Sequence, residues 1–449
     1  MAASLLPESL DLKIDLVETG LLKLYPGNPH THSAKKRAKM RASILSRGFV
    51  DAITVDPDNT IIDGQCRFEI AQELGLAKIP VIRIAHLSPA EIRVYRLAAN
   101  KLAMESGWHE DLLPAELQSL ENLQLNTPLE LTGFDGAELD SLLEHKPAPK
   151  DEQDNRIPEG QGPIVTRSGD VFLLGVHKLH CGDACDVSSY EMLMGDERAR
   201  MVFADPPYNT PIDGYVGGHG KIKRREFVAA AGELSDEEFQ EFLRKAMAAA
   251  AAYSLDGAIH FQCMDWKGYP TLVAAAAAVY SEQKNLIVWA KSNAGMGTFY
   301  RSRHELIGVF KVGTAPHRNN FGLGETGRWR SNVWEYPGMN AFGRGRDATL
   351  ALHSTCKPVA MVADAIKDVS ARNEIVLDPF GGSGTTLIAA QKTGRRARLL
   401  ELDPWFCDVI CRRWQAYTGK PAVLGATGET FDELATSREG ALEDNVPTN

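Results

Sequence analysis

Four consecutive residues, Asp205-Pro206-Pro207-Tyr208, directly follow the short apolar run 201–204 and have side chains suited to chemistry on an amine. The carboxylate and the Pro206 carbonyl can accept hydrogen bonds from an exocyclic amino group. The two prolines fix φ and carry no N–H, which makes the turn rigid. The tyrosine offers a flat face to a base swung out of its stack. The tetrapeptide therefore predicts chemistry on a nucleobase amine, with an ordinary surface turn as the alternative.

A glycine-rich segment further along, 378–385, lies between a predicted strand at 374–377 and a predicted helix that Gly394 ends. Its glycines remove side chains where backbone must approach a ligand closely. The spacing is not GxGxxG and no Gly-Lys-Ser/Thr ending follows, so neither a dinucleotide fingerprint nor a Walker-type phosphate cradle is indicated. Another predicted strand, 396–400, ends at Glu401, where an acidic residue can hold ribose hydroxyls.

These features favour a nucleoside ligand without a phosphate chain, such as S-adenosylmethionine. The candidate cofactor ligands are Asp378, Phe380, Gly381, Gly382, Gly384, Thr385 and Glu401. A methyl donor beside an amine-binding tetrapeptide predicts methyl transfer to a nucleobase. No metal is expected, because the sulfonium is already activated and catalysis is mostly positioning.

Basic residues are expected to hold the nucleic-acid backbone around the mouth of this site. The stretch 290–349 contains nine Lys or Arg against four acids, and it is rich in glycine and aromatic residues. Such a composition is typical of loops that bind phosphates and stack on bases, with a solvated surface as the alternative. The predicted contacts to double-stranded DNA are Lys221, Lys223, Arg224, Arg225, Arg301, Arg303, Arg328 and Arg330.

From about residue 166 to residue 420 the chain resembles the beta group of DNA amino-methyltransferases, in which a DPPY motif precedes an FGGSGT motif. The segment 353–358 is similar to the H-P-T-x-K-P segment of that group, with Ser354 where proline is usual. The resemblance implies a doubly wound, mixed α/β sheet of Rossmann-like methyltransferase type. It also implies cofactor contacts from Lys357 and Asp183. Adenine N6 is the favoured target, because members that act on cytosine N4 more often have Ser in place of Asp205.

The N-terminal part has its own pattern, a predicted hairpin at 53–62 followed by Gly64-Gln65-Cys66-Arg67 and a short helix. Over residues 12–105 it resembles the N-terminal fold of ParB proteins, which have Gly-Glu-Arg-Arg in a segment that helps bind a nucleoside triphosphate. Because Glu69 stands where those proteins have a later arginine, CTP binding is left open. The resemblance implies a separate, smaller α+β accessory domain that contacts DNA, a nucleotide or the methylase itself.

Composition sets the expected domain boundaries. The ParB-like domain is placed at 1–110, a helical extension at 111–145, a polar linker rich in proline and glycine at 146–165, and the methyltransferase domain at 166–425. Residues 426–449 hold six acids and one arginine, half of the formal net charge of −10, and are predicted to form a mobile acidic tail.

Seven cysteines without a disulfide pattern, and no apolar stretch long enough to span a membrane, favour a cytoplasmic protein. The sequence predicts a site-specific DNA methyltransferase, such as those of restriction-modification systems, that is compatible with a homodimer. Three alternatives stay open: a cytosine N4 DNA methylase, an RNA adenine methylase, and a ParB-like DNA-binding regulator without enzymatic activity.

Overall fold

The computed structural model describes residues 12–26, 28, 31–105, 107–109, 111–123, 128–143, 154–158, 163–210, 230–292, 299–321, 330–338 and 356–443. The chain divides into two compact units, Met1–Asp135 and Gly136–Asn449. The predicted catalytic residues all lie in the second unit.

The first unit is a small α+β fold built on a four-stranded sheet. Its strands are β1 (Ile14–Glu18), β2 (Ile53–Val55), β3 (Ile61–Asp63) and β4 (Lys78–Arg83), in the order β1-β4-β2-β3. Its helices are α1 (Ala34–Arg47), α2 (Gln65–Glu73), α3 (Pro89–Met104) and α4 (Leu112–Asn122). Alternate residues of the central strands, such as Val55 and Val81, pack with Phe68 of α2 in one apolar core. The predicted hairpin and the helix after Gly64 are therefore confirmed.

The second unit contains a ten-stranded mixed sheet. Its strands are β5 (Val171–Leu174), β6 (His177–Cys181), β7 (Ala199–Ala204), β8 (Ser254–Met264), β9 (Glu282–Ala290), β10 (His304–Lys311), β11 (Val333–Glu335), β12 (Ile375–Asp378), β13 (Arg396–Glu401) and β14 (Val423–Leu424). They follow the order β11-β9-β10-β8-β7-β12-β13-β6-β5-β14. The central strands β8, β7, β12, β13 and β6 run parallel, whereas β10, β9 and β5 introduce antiparallel pairs. The predicted mixed α/β methyltransferase fold is confirmed.

Helices cover both faces of this sheet. They are α5 (Gly136–Leu143), α6 (Val187–Met194), α7 (Asp236–Ala252), α8 (Tyr269–Ala277), α9 (Val359–Val369), α10 (Thr385–Thr393), α11 (Pro404–Thr418) and α12 (Phe431–Glu443). The Ser235 capping box predicted before α7 is present, since the Ser235 side chain accepts a hydrogen bond from the Glu238 backbone and the Glu238 carboxylate accepts one from Ser235.

The two helix layers meet the sheet on opposite sides, and this locates a crevice. Met201 and Phe203 of β7 pack in a core with α9, α10 and α11, whereas the alternate residues Val202 and Ala204 pack with α6 and α7. The helix that follows β12 therefore covers one face, and the helix that follows the neighbouring strand β7 covers the other. In an open α/β sheet such a switch point leaves a ligand crevice at the carboxyl ends of the two strands.

The acidic C-terminal segment differs from the predicted mobile tail. Phe431 and Leu434 of α12 are buried, and the ring of Phe431 meets that of Phe172 with centroids 5.9 Å apart. Arg438 donates a hydrogen bond of 2.8 Å to the carboxylate of Asp170. Composition was misleading here because a few apolar residues on one helical face are sufficient to dock an otherwise charged segment.

The described residues of the predicted linker are also packed against the second unit rather than forming a free spacer. Asp154 and Ile157 are buried in the second unit. The Asp154 carbonyl accepts a hydrogen bond of 2.7 Å from Arg413, and its carboxylate accepts one of 3.2 Å from Tyr417. A polar, proline-containing sequence can therefore be a fixed part of the catalytic unit when its polar groups find buried partners.

Candidate active site

Four predicted site residues lie side by side because of the strand order. Asp378 is the last residue of β12, Glu401 is the last residue of β13, and Asp205 and Asp183 follow the ends of β7 and β6. Since these four strands are adjacent and parallel, their carboxyl ends share one edge of the sheet. The topology thus gathers residues separated by about half of the chain along the crevice.

The glycine loop after β12 exposes backbone on its outer side. Its turn is closed by a hydrogen bond of 2.8 Å from the Gly384 N–H to the Gly381 carbonyl. A Cβ at Gly381 would lie 3.1 Å from the Leu400 carbonyl, and one at Gly384 would lie 3.2 Å from Ile410, so both positions are closely packed. Gly382 has φ of +50°, and a Cβ at this position would meet no atom nearer than the Phe380 carbonyl at 3.8 Å, so open space lies on that side of the backbone. This open cradle fits the flat base or ribose of a nucleoside ligand.

Two buried carboxyl groups support the loop. Asp378 accepts hydrogen bonds of 2.6 Å from the Thr386 hydroxyl and 3.0 Å from the Phe380 N–H. Glu401 accepts one of 2.7 Å from the Gly382 N–H. Burial raises the pKa of Asp378 to about 8 and that of Glu401 to about 7. Both groups therefore gain stabilisation from a ligand that donates hydrogen bonds or brings positive charge, as S-adenosylmethionine does.

The remaining cofactor candidates differ in their surroundings. Phe380 packs beside Phe242 of α7, with centroids 6.0 Å apart, and Thr385 is buried at the start of α10. Asp183 is exposed, and its carboxylate accepts a hydrogen bond of 2.8 Å from the Cys185 N–H. All three lie beside the crevice, and their cofactor contacts stay predictions.

The tetrapeptide carboxylate is held from two sides. The Tyr208 hydroxyl donates to Asp205 Oδ1 over 2.9 Å, and the Lys357 ammonium donates to Asp205 Oδ2 over 2.6 Å. Burial raises the pKa of Asp205 against the opposing effect of Lys357. Lys357 was predicted to contact the cofactor; its ammonium contacts the Asp205 carboxylate, and a cofactor contact stays a prediction. Pro206 is buried beneath this group, and Pro207 is half-buried.

Two neighbouring residues connect the tetrapeptide with the glycine loop. The Cys356 sulfur lies 3.1 Å from the Ser383 hydroxyl inside the loop, while the next residue, Lys357, reaches Asp205. Consecutive Cα atoms are only about 3.8 Å apart, so the two motifs face the same small space. The meeting of the two motifs, on which the sequence argument depended, is present in the fold.

A second carboxylate at this site was not expected from the sequence. Glu305 of β10 lies 3.2 Å from the Lys357 ammonium and 3.2 Å from the Tyr208 hydroxyl, and it also pairs with Lys291. Burial works to raise the pKa of Glu305, but Lys357 and Lys291 outweigh it and hold the pKa at about 2. No motif marks Glu305; the available signal was one acid at the start of an otherwise apolar strand.

The predicted DNA-binding residues have different positions. Arg301 and Arg303 are exposed, next to the exposed rings of Phe299 and Tyr300. Arg330 instead lies within 3.2 Å of Asp368 and 3.4 Å of Asp364, and its guanidinium lies over Trp334, so its charge is already balanced inside the unit. Lys221, Lys223, Arg224, Arg225 and Arg328 lie outside the described residues.

Two family models match the chain. Residues 199–412 match a model described as a DNA methylase, and residues 111–168 match a model described as a ParB-methyltransferase HTH domain. The first match contains the tetrapeptide, the glycine loop and Glu401. The second contains the segments expected to be a helical extension and a linker, so a DNA-binding motif was not recognised there from the sequence.

The curated relatives include type II methyltransferases. Two relatives are M2.MboI from Moraxella bovis, which is 24% identical over 54% of this chain and 88% of its own length, and M2.DpnII from Streptococcus pneumoniae, which is 24% identical over 51% and 88%. Among solved structures, PvuII DNA methyltransferase, titled cytosine-N4-specific, aligns with a TM-score of 0.41 at 12% identity, covering 64% of this chain and 97% of that chain.

Residues 199–412 therefore match a DNA methylase domain, and the chain is similar to type II methyltransferases. The target base, N6 of adenine or N4 of cytosine, is not distinguished by these matches. Within the residues that the structure describes, no helix is long and apolar enough to cross a membrane. The same part of the chain has no group of three or more His, Cys, Asp or Glu side chains arranged to hold a metal ion.

Proposed function

We propose that this enzyme is a site-specific methyltransferase of the beta group that methylates N6 of an adenine flipped out of double-stranded DNA. The observation that carries the proposal is the contact set around Asp205, whose carboxylate is fixed by Tyr208 and Lys357 beside the open glycine loop. A fixed acceptor at this place suits an amine whose nitrogen must be turned toward a methyl donor. The Asp at the start of the tetrapeptide favours adenine over cytosine.

The residues of the chain would act mainly by positioning. Asp205 and the Pro206 carbonyl accept hydrogen bonds from the amino group, which directs the nitrogen lone pair out of the plane of the ring. Bound S-adenosylmethionine supplies an activated methyl group. As the N–C bond forms and the C–S bond breaks, the amine loses a proton, and Asp205 can take it because burial raises its pKa.

The glycine loop and Glu401 would hold the cofactor, with Asp183 at the adjacent strand end. The neutral or half-titrated carboxyls of Asp378 and Glu401 become ionised when ribose hydroxyls and the positive methionine part approach. Phe380 and Thr385 complete the wall of this cradle. Lys357 would position the Asp205 carboxylate rather than the cofactor, since its ammonium is already paired with Asp205.

DNA contact is assigned to two regions. Arg301 and Arg303 would bind phosphates, and the rings of Phe299 and Tyr300, which are 87% and 81% exposed, would contact bases near the flipped nucleotide. The HTH-type segment 111–168 would add a second contact, and the ParB-like unit would extend it. These additional contacts favour a longer DNA recognition sequence than the catalytic domain alone can read.

The test is transfer of labelled methyl from S-adenosylmethionine to duplexes that lack either adenine or cytosine, with RNA as a further substrate. We expect Asp205→Asn to reduce kcat by about 10²- to 10⁴-fold, as loss of a positioned acid or base does, while cofactor binding by calorimetry is retained. Asp196→Asn, an exposed aspartate near β7, is the matched control and should be fully active.

Several outcomes would contradict parts of the proposal. Full activity of Asp205→Asn removes the catalytic role of the carboxylate. Methylation of the adenine-free duplex alone changes the target to cytosine N4, and transfer only to RNA changes the substrate. Absence of cofactor binding by the unmodified chain contradicts the enzymatic assignment itself and favours a DNA-binding regulator.

A further inference from the structure

Glu305 pairs with two ammonium groups, lies near the Tyr208 hydroxyl, and belongs to neither of the motifs that define the site. It lies at the second position of β10, directly opposite Trp289 of β9. Its Oε2 atom lies 3.2 Å from both the Lys357 ammonium and the Tyr208 hydroxyl, and its Oε1 atom pairs with Lys291. The side chain is only 16% exposed.

The four charged groups alternate in sign along the floor of the site. Asp205 pairs with Lys357, Lys357 pairs with Glu305, and Glu305 pairs with Lys291. The Lys357 side chain is 4% exposed, so its ammonium depends on these carboxylates for charge compensation.

Glu305 also affects how the Lys357 ammonium is shared between its neighbours. The Tyr208 hydroxyl has a single proton, which it donates to Asp205, and the nearby Lys357 ammonium donates toward the Tyr208 oxygen over 3.2 Å. Because Glu305 also pairs with Lys357, the ammonium is shared between two carboxylates rather than drawn fully onto Asp205. The lone pairs of Asp205 then stay available to an incoming amine.

We propose that Glu305 is a positioning residue for methyl transfer: it holds the Lys357 ammonium so that the Asp205 carboxylate keeps a fixed, partly free acceptor geometry. This inference rests on the function proposed above. It assigns a role to a residue outside both motifs. It also predicts that Glu305 and Lys357 act on Asp205 in opposite electrostatic directions.

The sign of that effect follows from the charges around Asp205. Glu305 works to raise the pKa of Asp205, whereas Lys357 works to lower it. The ionisable groups that surround this carboxylate and its lysine partner are Lys357 before α9, Glu305 on β10, Lys291 after β9, Tyr208 after β7, Cys263 on β8 and Asp378 on β12. Removing the Glu305 charge should therefore move the acid limb of kcat to lower pH, and removing Lys357 should move it to higher pH.

The experiment compares kcat, the KM for DNA and the cofactor Kd of Glu305→Gln and Lys357→Met across a pH series. We expect Glu305→Gln to lower kcat by about 10- to 100-fold, because small errors in the position of reacting groups cost up to about 100-fold. Its cofactor Kd should change by less than about threefold, well under the tenfold that corresponds to about 1.4 kcal/mol. Glu305→Asp keeps the charge, so its acid limb should stay at the position of the unmodified enzyme.

Glu282→Gln is the matched control, because this exposed glutamate also pairs with a lysine but lies at the far end of β9. It should behave as the unmodified enzyme in every measurement. An unchanged kcat and acid limb in Glu305→Gln would overturn the inference. A loss of cofactor affinity and of thermal stability in Glu305→Gln that accompanies the loss of kcat would overturn the inference as well, since it would indicate a purely structural role.

A second measurement does not depend on activity. In protein labelled with ¹³C at aspartate carboxyls, with Asp205→Asn used for assignment, Glu305→Gln should lower the titration midpoint of Asp205. If the unmodified enzyme transfers no methyl to nucleic acid, the proposed function fails, while this titration still decides whether Glu305 controls Asp205. A midpoint that does not move would overturn the inference in either case.

Discussion

Replacing Asp140 by alanine should destabilise the catalytic unit although Asp140 is remote in sequence from every motif of the active site. Asp140 lies on α5 and is 2% exposed. Its carboxylate accepts two parallel hydrogen bonds, of 2.7 and 2.9 Å, from Arg395 just before β13, and a third of 3.1 Å from Arg372. The substitution leaves two buried guanidinium groups without their shared carboxylate.

These contacts determine the expected loss in the free energy of unfolding. Removing one partner of a buried ion pair costs about 3–5 kcal/mol, because the other charge stays buried without compensation. Arg395 retains hydrogen bonds of 2.6 Å to the Thr393 carbonyl and 2.7 Å to the Ser370 carbonyl. These neutral acceptors satisfy its N–H groups but not its charge, so the lower end of the range, about 3 kcal/mol, is expected. At about 2–4 °C per kcal/mol, the Tm of the catalytic unit should fall by about 6–12 °C.

Differential scanning calorimetry of the full chain measures this change. The matched control is Glu191→Ala, an exposed carboxylate on α6, which should shift stability by less than about 0.5 kcal/mol. The double variant Asp140→Leu/Arg395→Met replaces the pair by apolar side chains and should recover much of the loss. A loss below about 1 kcal/mol in Asp140→Ala, far under the 3–5 kcal/mol expected for a broken buried pair, would refute the reasoning.

Two further predictions concern the cofactor cradle. Gly382→Ala should weaken cofactor binding at least about tenfold in calorimetry while costing only about 1–2 kcal/mol of stability, because its Cβ points into open space and the residue has φ of +50°; unchanged affinity would contradict a ligand at this backbone. The raised pKa of Asp378, about 8 against an ordinary value near 4, means that its stabilisation of the apo protein is present at low pH and is lost as pH rises from about 4 to 8. The free energy of unfolding of Asp378→Asn, measured in urea, should therefore rise relative to that of the unmodified protein by more than about 1 kcal/mol between pH 5 and pH 8.5. A difference between the two proteins that does not change with pH would contradict the effect of burial on Asp378.

Much of the catalytic unit could be predicted because its signals are local. A strand, a glycine turn and a helix follow one another at 374–393, and the sequence carries all three in order. The tetrapeptide after β7 was located in the same way. No local pattern shows that the two motifs lie side by side, because β7 and β12 become neighbours only when the sheet is assembled.

The residues that sequence reasoning missed act through long-range contacts. Glu305 joins the site because β10 pairs with both β8 and β9, which brings the strand past Lys291 and toward Lys357. Arg330 was assigned to DNA by composition, but Asp364 and Asp368 on α9 already balance its charge. Counting charges along the chain cannot distinguish a solvated arginine from one that a distant helix neutralises.

The boundaries of the catalytic unit follow from the same kind of contact. Arg413 is buried on α11, and its guanidinium donates over 2.7 Å to the Asp154 carbonyl and over 2.8 Å to the carbonyl of Ser383 in the glycine loop. One side chain thus connects the segment matched to an HTH domain with the cofactor cradle. A fragment that begins at residue 166 would lack the Asp154 partner of Arg413 and the Asp140 partner of Arg395, and desolvation of these guanidinium groups would then oppose folding.

That connection explains why the polar stretch before the methylase core is more than a spacer. Asn155 accepts a hydrogen bond of 3.2 Å from the Val359 N–H, which is the first residue of α9 and lies two positions after Lys357. The same short segment therefore contacts the helix that begins just after Lys357 and, through Arg413, the loop that is proposed to hold the cofactor. Residues 154 and 155 are therefore a packed part of the catalytic unit, and they support both the start of α9 and, through Arg413, the glycine loop.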